Sequence, residues 1–202
     1  MTLRLAGSTS GYTEIDAPAV AGNNSIALPT GNGSAYQVLR NGATAGSLEY
    51  ADKIVSGTAQ ASTSGTSIDF IGIPSWVKRI TVMFSGVSTS GTSNYQVQIG
   101  SSTFTTSGYL GSSGNLGGSA NFTAGFGLTA GAATVVMQAN MQICLIGSNS
   151  WVASHAGGRS DAASITFGGG AVSLGGTLDR VRITTVNGTD TFDAGTINIL
   201  YE

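Results

Sequence analysis

The sequence predicts an all-β chain, an antiparallel β-sandwich of jelly-roll-like type entered through an extended N-terminal anchor segment. Three observations carry this reading. Apolar and polar residues alternate in several short runs, and no convincing run has the three-and-four spacing of a helix. Glycine, serine and threonine together supply 81 of the 202 residues, which suits many short strands joined by tight turns. Charged residues are only 9%, against about 25% in an ordinary soluble domain, so the Lys- and Glu-rich make-up of a helical bundle or coiled coil is missing. Three prolines exclude a collagen-like chain, and 41% hydrophobic residues with a net charge of −2 argue against charge-driven disorder.

Residues 1–52 carry short apolar pieces between polar turns: Leu3 to Ala6, Tyr12 to Ile15, Ser25 to Leu28 and Tyr36 to Leu39. Pro18, Pro29 and the turn dipeptides Asn32-Gly33 and Asn41-Gly42 punctuate them. No run suffices for a core, so this segment is expected to be extended, with one or two small hairpins, and to need a partner surface. Ser56 to Ser67 reads as a small-residue join.

From Ile68 the period-2 signal is clear. Ile80, Val82 and Phe84 share a face opposite Arg79, Thr81 and Met83, and Tyr95, Val97 and Ile99 alternate with Asn94, Gln96 and Gln98. The longest run spans Ala133 to Leu145, every odd position apolar. Near the C-terminus Val181, Ile183 and Thr185 share a face, Asn187-Gly188 turns the chain, and Ile197, Ile199 and Tyr201 return it. Between Gly100 and Gly127 alternation fails, which leaves two options: a functional loop or undetected short strands.

Eight basic residues scattered among ten acidic ones argue against nucleic-acid binding. No apolar run approaches membrane-helix length, so no membrane insertion is expected, and no signal-peptide core follows Arg4. A single cysteine, Cys144, rules out an internal disulfide.

Specific wording adds to this pattern. Ala17-Pro-Ala-Val-Ala-Gly-Asn-Asn-Ser-Ile-Ala-Leu-Pro-Thr, followed by Gln37-Val-Leu, resembles the N-terminal portion of tailed-bacteriophage tail-fibre proteins. Ile68-Asp-Phe-Ile-Gly-Ile-Pro-Ser-Trp-Val-Lys-Arg-Ile-Thr-Val is similar to the first strands of a domain in such fibres, notably those of cyanophages and marine phages. Gly108-Tyr109, Gly125-Phe126, the stretch from Leu178 to Thr185 and the stretch from Asp190 to Glu202 fit the rest of that pattern. The resemblance implies a virion protein: a short fibre, homotrimeric, attached to the tail or baseplate through residues 1–52. Residues 53–202 would then face the host and bind a cell-surface polysaccharide or lipopolysaccharide. The other reading is a purely structural tail or capsid-decoration protein.

Within this frame no enzyme and no cofactor is expected. His155, the only histidine, has no His or Cys neighbour at metal-ligand spacing, and a Cys144–His155 pair has no activating context. Cys144 sits on the even face of its strand. Asp190 and Asp193 are the closest C-terminal carboxylate pair; turn formation is the plainer reading beside glycoside hydrolysis or calcium binding. For a glycan, the candidates are Tyr109, Trp151, His155 and Arg159, aromatic faces and polar tips in glycine-bounded stretches. Trp151 alternates with Val152 and Ala153, which favours a core position, whereas His155 and Arg159 are expected to be exposed. Tyr109 either stacks on a sugar or pins its loop to the sandwich. Trp76 follows Pro74 as an anchor at a strand start, and Arg180 and Arg182 share a polar strand face suited to solvent or a subunit contact.

Overall fold

A computed structural model describes residues 3–15, 22–34 and 37–202, and among them every regular element is a strand. The chain divides into two units, Met1–Lys53 and Ile54–Glu202.

The first unit holds two antiparallel hairpins. β1 (Leu3–Ala6) pairs with β2 (Tyr12–Ile15), and β3 (Val38–Asn41) pairs with β4 (Leu48–Ala51). Cross-strand ion pairs join each of them, Arg4 to Glu14 and Arg40 to Glu49. The apolar piece from Ser25 to Leu28 forms no strand; only Ala27 bridges to Ser47. Leu3, Leu5, Tyr12 and Ile15 stay exposed, because four-residue strands cannot build a core of their own, and Ile26 and Leu28 are exposed as well. Ala17 to Ala21 of the fibre-like motif, with Pro18, and Tyr36 lie outside the described residues.

The second unit opens with β5 (Val55–Ser56), β6 (Gln60–Ala61), β7 (Ser67–Ile71) and β8 (Arg79–Thr89), followed by β9 (Tyr95–Ser101) and β10 (Thr103–Phe104). Then come β11 (Leu110–Asn115), β12 (Gly118–Phe122), β13 (Phe126–Leu128) and β14 (Met137–Gly147). The chain ends with β15 (Ser150–Arg159), β16 (Ile165–Ser173), β17 (Arg180–Thr185) and β18 (Phe192–Tyr201). The large sheet runs β12-β11-β16-β15-β14-β8-β18, with β5 and β6 sharing the outer side of β18. In the small sheet β7, β17 and β9 lie side by side, and β10 and β13 both pair with β9.

All strand pairs are antiparallel, and one apolar core serves both sheets. Ile80, Val82 and Phe84 from β8 meet Val97 and Ile99 from β9 and Val181 and Ile183 from β17 there, as their alternation dictates. The sandwich is unequal, and β14, β15 and β16 follow one another as a meander; both features depart from the two equal four-stranded sheets of a jelly roll.

Three local differences have physical causes. The long strand starts at Met137 rather than Ala133, because Gly131 takes a φ of +80° and Val135 closes a turn on Ala132. The small-residue join after Ser56 is edge structure, since β5 and β6 pair with β18. The Gly100–Gly127 stretch contains β10, β11, β12 and the start of β13, strands too short or too rich in small residues to carry an alternation.

Candidate functional site

Three of the four residues singled out for a glycan are interior. Tyr109 is 1% exposed: its hydroxyl accepts from the Ile99 N–H at 2.8 Å and its ring meets Phe126 edge-on at 5.0 Å. It pins the start of β11 to β9, and burial pushes its phenol up to about 12. Trp151 points inward from β15, 2% exposed.

His155 corrects the expectation of exposure. It is 6% exposed, because β15 alternates without interruption and residues 151, 153 and 155 fall on the same inner face. Its Nε2 lies 3.3 Å from both Ser113 Oγ and Thr166 Oγ1. Ser113 Oγ also accepts from the N–H and the hydroxyl of Thr129, each at 3.0 Å. This is a small polar knot inside an apolar core, and burial drives the imidazole down to about 4, neutral at physiological pH. Ser113 and His155 lie side by side, but Ser113 is only 1% exposed and is closed off from solvent.

Arg159, at the end of β15, is committed to Asp161, whose Oδ1 also accepts from the Val136 N–H at 2.8 Å. The pair latches the turn before β14 and holds the Asp161 carboxyl well below the usual carboxylate range. Tyr109, Trp151, His155 and Arg159 therefore form no shared surface.

The other candidates are placed as follows. Asp190 accepts from Asn187 Nδ2 at 2.7 Å and from the Ser93 N–H at 2.9 Å, which ties two turns together; Asp193 bonds the Ser88 hydroxyl. No cluster of three or more metal-ligating side chains occurs among the described residues. Cys144 is a half-buried free thiol on the outer face of β14. Trp76 stands before β8, its ring 5.9 Å from Tyr201. Arg180 is held by Asp179 and Arg182 by Asp69, and both guanidinium groups lie over Phe104, at 5.5 and 4.1 Å from the ring centre.

A surface groove of about 530 Å³ opens where the edges of the two sheets approach. One wall is the segment through Ser56, Thr58 and Gln60, the other is β7 with Asp69 and Ile71, and Tyr201 contributes an aromatic surface. Gln60 stitches the walls together, its Nε2 donating to the Asp69 carbonyl at 2.8 Å. Gly57 lets the first wall lie close to β18, since a Cβ there would stand 2.9 Å from the Ile199 side chain. The result is a row of hydroxyl and amide groups beside an aliphatic and aromatic surface, with one carboxylate already compensated by Arg182. Such a lining suits a ligand that has both C–H faces and hydroxyls. No local pattern in the sequence pointed to it, because its walls come from segments far apart in the chain.

No protein-family model matches this chain, and no curated protein or solved structure matches it. The fold and the groove thus define it as an all-β protein whose second unit is a two-sheet sandwich with a polar, aromatic-sided edge groove.

Proposed function

We propose that this chain is a short tail-fibre protein of a bacteriophage virion, and that the edge groove of its second unit binds a sugar of the host surface. In this reading residues 1–52 attach to the tail or baseplate, and three copies assemble into the working fibre. The observation that carries the proposal is the groove itself: Ser56, Thr58 and Gln60 line one wall with hydrogen-bonding groups, and Ile71 and Tyr201 supply apolar surface across a sugar-sized space. The fibre-like wording from Ile68 to Val82 forms β7 and the start of β8, so the motif and one groove wall coincide. Three weak sites on one tip would act together through effective concentration and give firm attachment.

The test is adsorption. Purified full-length chain should bind bacteria susceptible to the parent phage and compete with phage attachment; failure to bind those cells, with the fold intact, overturns the reading. A purely structural tail or decoration role is favoured by one observation, the broad uncharged outer face of the large sheet. It predicts capture of virion proteins, rather than cells, by the immobilised chain.

A further inference from the structure

No charged side chain occurs between Arg79 and Arg159, and β16 adds none. Those residues build β8, β11, β14, β15 and β16, five neighbouring strands of the large sheet. Their outer face is consequently uncharged between the ends of β8 and β15. It is also partly apolar: Phe167 is 52% exposed, Ile165 49% and Leu110 78%. Phe167 stands opposite Ala156 on β15 and Gly114 on β11, so its ring rises from a floor of small residues. Beside Leu110, a hollow of about 490 Å³ opens over Ser112, Gly169 and Gly170.

We propose that this face, centred on β11, β16 and β15, is an interface with a second copy of the same chain. Two arguments favour a second copy over another partner. A self-contact sets like charges near one another, and this face has none to set. It carries both a knob, Phe167 with Leu110, and a hollow, so one surface supplies the two complementary halves that a self-contact requires. Its size also suits a stable association. Five strands about 4.8 Å apart and nine residues rising about 3.3 Å each give roughly 700 Å² per copy, near the ~800 Å² of a standard interface. The inference stands whether or not the groove takes a sugar.

The test is the solution mass of the full-length chain, by light scattering after size exclusion. Wild type should run at a multiple of its 20.2 kDa chain mass. Phe167→Asp and, separately, Ala156→Arg should lower that mass at equal concentration, with unchanged circular dichroism because both side chains point away from the core. Thr177→Arg, exposed outside the face, should leave it unaltered. A wild-type monomer, or a multimer unmoved by both face variants, overturns the proposal.

Discussion

Asp69 and Arg182, on adjacent strands of the small sheet, are joined by two hydrogen bonds of 2.8 and 2.7 Å. The guanidinium so held lies 4.1 Å over the centre of the Phe104 ring. Both side chains are about a third exposed, so water screens much of their attraction. A double-mutant cycle with Asp69→Ala and Arg182→Ala, read by urea denaturation, should give a coupling of about 1 kcal/mol or less. A larger coupling would mean the pair is far better shielded than its exposure indicates.

The polar knot around His155 predicts acid sensitivity with a definite sign. The folded-state value is depressed to about 4 against an ordinary 6.5, so between these limits the unfolded chain binds the proton more readily. Stability is therefore fully present above about 6.5 and is lost as pH falls towards 4, by at most about 3 kcal/mol. His155→Gln should flatten that part of the stability–pH curve relative to wild type, measured by urea denaturation from pH 7 to 4. Parallel curves for the two proteins would contradict the burial.

Gly168 is packed against the same knot. An added Cβ would stand 2.7 Å from His155 Cε1 and 2.8 Å from the Ser113 Cα. Gly168→Ala should destabilise by about 1–3 kcal/mol through overpacking. Gly175→Ala, where nothing lies within 4 Å, should change stability by less than about 0.5 kcal/mol. Thermal or chemical denaturation of the two variants checks the contrast.

Tyr109→Phe removes the hydroxyl that accepts the buried Ile99 N–H. The expected cost is about 1–2 kcal/mol of stability, since the donor is left unsatisfied. Binding to cells should be unchanged at temperatures where the variant stays folded, because this ring never reaches the surface.

Much of the fold was legible in the sequence because period-2 alternation reports directly on a half-buried strand. Ile80, Val82 and Phe84, or Val181 and Ile183, could hardly serve another geometry, and the structure buries all of them. Carried two residues beyond Ala153, the same rule puts His155 on the inner face with Trp151, against the exposure expected for it. Weighing its chemistry ahead of its parity is what predicts exposure. In β11 and β12 glycine and serine occupy both faces, so alternation carries no information there. The register of these strands depends on the close approach of Gly111 to Gly169 and Gly170, a long-range fact. The groove was illegible for a related reason. Thr58, Asp69 and Tyr201 meet only after β5 and β6 pair with β18 and β7 pairs with β17.

The receptor reading is tested most directly by cell binding of one groove variant. Thr58 is exposed at the groove, so Thr58→Arg places a long cation in the space assigned to the sugar without touching the core. Fluorescently labelled full-length protein is titrated onto bacteria susceptible to the parent phage, beside the variant, with folding checked by circular dichroism. The account predicts saturable wild-type binding and at least a tenfold loss for Thr58→Arg. Equal binding by both proteins would contradict the groove as the receptor site, and no binding by either would contradict the attachment role.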